Sequence, residues 1–112
     1  MRTVIDLKQI HLVSLNRGYK RGKKSFYVSG DYRNFKDLLV MSCWKGRVEP
    51  PYIVEINIEA YNDIDACIKV ILDSLQIAKI IDDDKFVMKL NVTKQPTKRG
   101  KAGDLLVKVG TL

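Results

Sequence analysis

Two clusters of aspartate could carry out chemistry, because closely spaced carboxylates can bind a divalent cation. In the first, Asp63 and Asp65 are followed four residues later by Lys69 and then by Asp73. The second is the run of three aspartates at 82–84, which interrupts an apolar stretch. Such carboxylates repel one another unless a cation neutralises them, and hard oxygen ligands select Mg²⁺ or Mn²⁺. The two clusters are therefore candidate parts of a metal site that also takes a substrate phosphate.

Both clusters also have an ordinary structural interpretation. Asn62 is a good helix N-cap, an acid in the first turn favours the helix dipole, and Asp65 with Lys69 makes a favourable i, i+4 pair. Three aspartates ahead of a strand are typical of a solvated turn. Each cluster alone is more often structural than functional, and only their combination favours a metal site.

The chain has a net charge of +7, and the positive excess is confined to two segments. Residues 17–24 and 94–101 contain glycine and no acid, a pattern that predicts basic loops. Their bases are Arg17, Lys20, Arg21, Lys23, Lys24, Lys94, Lys98, Arg99 and Lys101. Loops of this kind suit the phosphates of nucleic acid, and such binding weakens steeply with salt. The alternative is solubilising charge on exposed turns.

Strands are predicted wherever apolar and polar residues alternate. The clearest alternation covers 52–60, where Val54, Ile56 and Ile58 alternate with polar residues. Further strands are predicted within 4–16 and at 25–29, 86–93 and 104–112. We expect the basic loop of 94–103 to join the last two strands as a hairpin.

Two helices must lie between these strands. The helix predicted from Asp63 to Lys79 has an apolar stripe at i, i+3, i+4 and i+7 spacing, formed by Ile64, Cys67, Ile68, Ile71, Leu72 and Leu75. Its opposite face has Asp65, Lys69, Asp73 and Gln76. The other helix, at 32–44, has Tyr32, Phe35, Leu38, Leu39 and Ser42 along one side. If the later helix and the strand after it fold back on one another, both acid clusters lie at related ends of neighbouring elements.

Size and composition favour one compact domain over residues 1–112, with 46% hydrophobic residues available for a core. No apolar run approaches the roughly 18 residues of a membrane span, and charges interrupt the apolar N-terminal stretch, unlike a signal peptide. We therefore expect a cytoplasmic protein with no membrane partner. Cys43, Cys67 and His11 lack the spacing of a zinc site, so both cysteines are expected to be reduced, packed thiols.

The acidic pattern resembles the RusA family of Holliday-junction resolvases. The shared features are D-x-D, a lysine four residues after the second Asp, another Asp four residues later, and a pair of aspartates that enters a strand. The N-terminal half is also similar, with "SLN" at 14–16, a basic segment and then "FYVSGDYRNFKDLL" at 26–39. The resemblance covers nearly the whole chain. It implies an α+β fold, a small mixed β-sheet with two helices, that forms a homodimer.

The resemblance also implies a set of metal ligands. Asp63 and Asp65 match the D-x-D ligands of Mg²⁺, for which Mn²⁺ can substitute, and Asp84 matches the remaining ligand when the spacing is kept without gaps. Asp83 matches the acidic neighbour of that ligand. A shift of one residue would give Asp83 the ligand role instead.

Two further positions of the motif lie on the same helix as D-x-D. Lys69 matches a lysine required for activity, and Asp73 matches a supporting acid. Ala66 departs from the family, which commonly has Asn directly after D-x-D. Because alanine cannot make the hydrogen bonds of that amide, a contact that supports the ligands is missing or replaced.

The implied activity is that of a Mg²⁺-dependent, structure-selective endodeoxyribonuclease that resolves four-way DNA junctions by paired cuts. The metal would polarise the scissile phosphate and activate a water, while Lys69 would stabilise developing charge or restrain the repulsion among the carboxylates. One alternative is a nuclease of the same fold that acts on another branched DNA, such as a fork or flap. Another is a catalytically silent, dimeric DNA-binding protein, an option that Ala66 keeps open.

Overall fold

The computed structural model describes residues 1–11, 19–21, 26–28, 30–61, 64–99 and 101–112. Its elements, in chain order, are strands β1 (Arg2–Ile10), β2 (Tyr19–Arg21) and β3 (Phe26–Val28), helix α1 (Gly30–Ser42), strand β4 (Tyr52–Ala60), helix α2 (Ile64–Ile77), a 3₁₀ turn (Asp84–Phe86), and strands β5 (Val87–Pro96) and β6 (Gly103–Thr111). None of the helices in these ranges is long and apolar enough to cross a membrane.

The main sheet has four strands in the order β1-β6-β4-β5. β6 is antiparallel to both β1 and β4, whereas β4 and β5 are parallel and are connected through α2. β2 and β3 form a separate antiparallel pair. The predicted α+β fold, a small mixed sheet with two helices, is therefore confirmed.

The predicted hairpin of β5 and β6 is wrong, because β4 lies between them. Glu59 is opposite Gln95 of β5, while Ile58 is opposite Leu105 of β6. The described residues of this connection, 97–99 and 101–102, therefore lie past the carboxyl end of β4. Where they reach β6, Gly103 lies so close to the backbone carbonyl of Glu59 that a Cβ atom would overlap it. Glycine is the residue that this close approach allows.

One face of the sheet forms the core, as the alternation in the sequence predicts. β4 buries Tyr52, Val54, Ile56, Ile58 and Ala60, whereas the residues between them are only partly buried. Leu105, Val107 and Val109 of β6 face the same side, and the buried residues of both helices complete a single cluster with them. The opposite face of the sheet is left polar and partly exposed.

The apolar face of α1 is narrower than the sequence predicts. Phe35, Leu39 and Cys43 are buried at i, i+4 spacing, but Leu38 is 42% exposed. Since Leu38 lies beside this row rather than on it, its side chain reaches solvent.

The buried face of α2 is centred slightly differently from the predicted stripe. Cys67, Ile71 and Leu75 are buried as expected, but Val70 and Ser74 are buried as well. The Ser74 hydroxyl donates a 2.7 Å hydrogen bond to the Val70 carbonyl, which satisfies a polar group inside the core. The prediction that both cysteines are packed is confirmed, since Cys43 and Cys67 are buried.

Candidate active site

The exposed face of α2 brings Lys69 together with two carboxylates. Its Nζ lies 3.0 Å from Asp73 Oδ1, one turn further along the helix, and 3.8 Å from Asp84 Oδ2. The Lys69 and Asp84 side chains are 52% and 36% exposed, so both remain accessible to a ligand. The helix face and the second acid cluster therefore meet at one lysine.

Gln76 fixes the position of Asp84 from the same face of α2. Its side-chain carbonyl Oε1 accepts a 2.8 Å hydrogen bond from the Asp84 backbone N–H. The helical periodicity placed Gln76 on this face but assigned it no role. The signal that would have identified it is its position seven residues after Lys69, two turns along the same side of the helix.

Asp82, the first of the three consecutive aspartates, anchors the segment to the preceding part of the chain. Its carboxylate accepts hydrogen bonds from Arg47 Nε at 3.1 Å and Nη2 at 2.6 Å, and its backbone N–H donates to the Tyr52 hydroxyl at 2.9 Å. These bonds from Arg47 hold the pKa of Asp82 below its usual value. Arg47 also pairs with Glu49, and its own pKa is raised by the two acids.

Asp83 and Asp84 have different surroundings. Asp83 Oδ1 accepts a 2.9 Å hydrogen bond from the Lys85 backbone N–H and so caps the 3₁₀ turn. That bond is the main cause of the lowered pKa of Asp83, and the charge of Lys69 contributes to it. Asp84 instead directs its carboxylate towards Lys69. Which of the two binds metal stays a prediction.

The first acid cluster lies at the other end of α2. Asp65 is exposed in the first turn of the helix, beside the carboxyl end of β4. Asp63 and Asn62 lie outside the described residues. Because β5 is parallel to β4, the start of β5 and the aspartates before it lie where β4 begins, with Val87 opposite Tyr52. The expectation that the two clusters lie at related ends is therefore wrong.

The distance between the clusters decides whether one chain can form the implied metal site. Eight residues separate Asp65 from Asp73, which is a rise of about 12 Å along a helix, and Asp84 lies at the level of Asp73. Ligand oxygens about 2.1 Å from a Mg²⁺ ion lie within about 4 Å of one another. Asp65 and Asp84 of one chain therefore do not fit a common ion, although their oxygen donors suit Mg²⁺. Within the described ranges no three His, Cys, Asp or Glu form a possible metal site.

The second basic segment lies at the Asp65 end of α2. Lys98, Arg99 and Lys101 are exposed where the chain crosses β4, and Lys94 is opposite the core residue Ile58, on the face of the sheet that α2 covers. None of these four bases is in an ion pair with a described carboxylate.

The first basic segment is only partly described. Lys20 and Arg21 lie in β2 and pair with Tyr27 and Phe26 of β3. Arg17, Lys23 and Lys24 lie outside the described residues. The predicted role of this segment in DNA binding therefore has no geometry to support it.

Comparison of the chain with protein-family models and with curated protein sequences finds no match in either. The assignment to the RusA family thus rests on the motif and its spacing, and it stays a prediction. The α+β architecture, in contrast, is seen in the structure and does not depend on that assignment.

Proposed function

We propose that this protein is a divalent-metal-dependent endonuclease that cuts branched DNA, with the four-way junction as its substrate, and that it acts as a homodimer. The observation that carries the proposal is the position of Lys69 between Asp73 and Asp84. All three residues match the RusA motif. Lys69 and Asp73 are close in sequence, whereas Asp84 belongs to a later segment. Their meeting on an exposed helix face supports a common function.

The second basic segment, at 94–101, supplies the DNA contacts in this proposal. Lys98, Arg99 and Lys101 are exposed and lie at the end of the sheet where α2 begins. Cations without acidic partners in the described structure are available to phosphates, and each one that neutralises a phosphate releases a counterion. Contacts of this kind hold the DNA backbone without reading its sequence.

Lys69 has two functions in the proposal. Before DNA binds, its ammonium partly neutralises Asp73 and Asp84, whose carboxylates would otherwise repel each other. When DNA is bound, the same partly exposed ammonium can stabilise the negative charge that builds up on a phosphate. Gln76 supports both functions because it holds the backbone of Asp84 next to this lysine.

The separation of the acid clusters is the reason why the proposal requires two chains. Since Asp65 and Asp84 of one chain lie at different levels of α2, we assign Asp63 and Asp65 of one protomer and Asp84 of its partner to each metal site. Two-fold symmetry then gives two identical sites. Two sites suit paired cuts on opposed strands of a junction.

Subunit mixing tests this assignment directly. Asp65→Asn and Asp84→Asn, each alone, should bind a synthetic four-way junction in Ca²⁺ but cleave it at least about 100-fold more slowly in Mg²⁺. When the two variants are mixed and allowed to exchange subunits, half of the sites in each mixed dimer have both native acids, so nicking should return. Asp37→Asn, an exposed aspartate of α1, is the matched control and should cleave normally.

The outcomes separate the parts of the proposal. Wild-type cleavage that persists in excess EDTA, or that survives undiminished in Asp65→Asn, contradicts a metal-dependent site. Loss of cleavage in both variants without recovery on mixing contradicts the shared site but leaves the nuclease. Junction binding without any cleavage by the wild type supports the silent DNA-binding protein, the alternative that Ala66 keeps open.

A further inference from the structure

Within the described residues, strand β5 has an open edge. It has ten residues and pairs only with β4 on one side. Apart from the Val87 N–H, which donates to the Asp84 carbonyl, no backbone group of the described residues outside β4 forms a hydrogen bond with β5. The four residues from Met88 to Asn91 are all exposed, and they include Met88 at 59% and Leu90 at 39%. A long edge with exposed apolar side chains is a surface on which another strand can pair.

The opposite edge of the sheet, β1, is protected in ways that β5 is not. Its pairing with β6 shifts register twice, and Gln9 has a positive φ of 53°. The Val4 carbonyl is occupied by a 2.8 Å hydrogen bond from the Trp44 backbone N–H. Irregular backbone and a covering segment are the means by which proteins close a strand edge. Among the described residues, no backbone group covers the edge of β5 in this way, and its pairing with β4 shifts register only once, near its start.

The charges at the two ends of β5 indicate what that partner is. The aspartates at 82–84 precede the strand, and Lys94, Lys98, Arg99 and Lys101 lie at or after its end. Two copies of β5 that pair antiparallel place the acidic end of each beside the basic end of the other. A second copy of this chain therefore matches the edge in charge.

The pleat of β5 and the charges around it restrict the register of such a pair. Opposed residues of an antiparallel pair lie on the same face, so a two-fold pair sets one residue of β5 opposite its own copy, and a slip by a single residue is excluded. With Asn91 opposite its own copy, Leu90 lies against the partner's Val92, and Asp84 lies level with the partner's Lys98.

We propose that two copies of the chain associate through antiparallel pairing of β5 about a two-fold axis at Asn91, which joins the two main sheets into one. The proposal rests on the homodimer of the proposed function and names its interface. Met88 and Leu90, which are exposed in one chain, are covered by the partner strand.

Cross-linking tests the register. Opposed residues of an antiparallel pair have Cα atoms about 4.5–5.5 Å apart, which is within reach of a disulfide. Asn91→Cys should therefore form a disulfide-linked dimer under mild oxidation. Gln95→Cys is the control, because in the same register its two copies lie eight residues apart along the strands, about 27 Å. Wild type, whose two cysteines are buried, should stay uncross-linked.

The molecular mass of the protein in solution tests the β5 interface without an added cysteine. Leu90→Lys should shift the protein towards monomer, with at least a tenfold higher dissociation constant, while its circular dichroism stays native. Leu38→Lys changes a leucine of similar exposure on α1 and should leave the dimer intact.

The results distinguish this interface from the function proposed above. A dimer that persists in Leu90→Lys, with no cross-link through Asn91→Cys, overturns the β5 interface but leaves the homodimer. A wild type that is monomeric at every concentration overturns both. A dimer with the expected cross-link but no junction cleavage supports the interface and contradicts the nuclease.

Discussion

Gln76 Oε1 accepts a 2.8 Å hydrogen bond from the backbone N–H of Asp84, which ties the exposed face of α2 to the turn before β5. The bond is partly buried and joins residues eight positions apart. It holds Asp84 where Lys69 can reach its carboxylate. Gln76 is uncharged and is not a predicted metal ligand, yet it positions the candidate site.

Gln76→Ala should destabilise the protein and impair the site. Removing the acceptor leaves the Asp84 N–H without its protein partner, at a cost of about 0.5–1.5 kcal/mol in the free energy of unfolding. Junction cleavage should fall by more than the folded fraction, because Asp84 is no longer fixed beside Lys69. Gln76→Glu retains an acceptor oxygen and should lose less stability. Urea denaturation checks this, and equal stabilities for Gln76→Ala and wild type would contradict it.

Lys69→Ala should separate catalysis from folding. Ion pairs of partly exposed side chains contribute less than about 1 kcal/mol, so the melting temperature should change little. Cleavage in Mg²⁺ should fall about 10²–10³-fold, whereas junction affinity in Ca²⁺ should stay close to that of wild type. Lys36→Ala on α1 is the control. A loss of cleavage that only follows the folded fraction would count against the role of Lys69.

Simultaneous substitution of Lys98, Arg99 and Lys101 by alanine should weaken binding to DNA of any sequence. Each lost phosphate contact should lower the slope of log affinity against log salt by about 0.9. Alanine at Arg33, Lys36 and Lys45, three bases on and after α1, provides the matched control. Affinities should be compared at concentrations where both variants are dimeric by mass. An unchanged slope would show that this segment does not contact phosphate.

The ion pair of Arg47 and Asp82 should make stability depend on pH in the acid range. Because the pKa of Asp82 is lowered in the folded protein, the pair stabilises fully above the usual value of 3.8, and this contribution is lost as the pH falls through the folded-state pKa. The difference in melting temperature between wild type and Asp82→Asn should therefore be largest near neutral pH and shrink below pH 3.8. A difference that is constant with pH would contradict this.

Much of the fold follows from local patterns. The alternation of Val54, Ile56 and Ile58 predicts β4 correctly, because a strand with one buried face repeats every two residues. The polar face of α2 is predicted for the same kind of reason, since Lys69 and Asp73 are one helical turn apart. Asp84, from the second acid cluster, meets this face at Lys69.

The order of the strands in the sheet could not be predicted from local sequence patterns. A connection over 97–102 is long enough either to turn back as a hairpin or to cross one strand, since adjacent strands are about 4.8 Å apart. The parallel pairing of β4 and β5 through α2 occupies one side of β4, and β6 takes the other. This choice also sets the two acid clusters at opposite ends of the sheet, which no spacing in the sequence reveals.

The individual roles of three identical aspartates were equally inaccessible. Asp82 is distinguished from Asp83 and Asp84 by its ion pair with Arg47, which is 35 residues away in sequence. A run of like residues has no internal signal for which member forms the ion pair, which one caps a turn and which one faces the helix. Only the packed structure separates them.

The pairing of β6 with both β1 and β4 has a consequence for the order in which the protein folds during synthesis. β4, α2 and β5 are close in sequence and form a unit that can assemble as soon as residue 96 has left the ribosome. β1 precedes these elements in the chain, yet its strand partner is β6, so in the described sheet its pairing must wait for residues 103–111. Contacts this distant in sequence slow folding and leave strand edges unpaired meanwhile. The strand that carries Val4 and Ile5 therefore stays unpaired until β6 emerges.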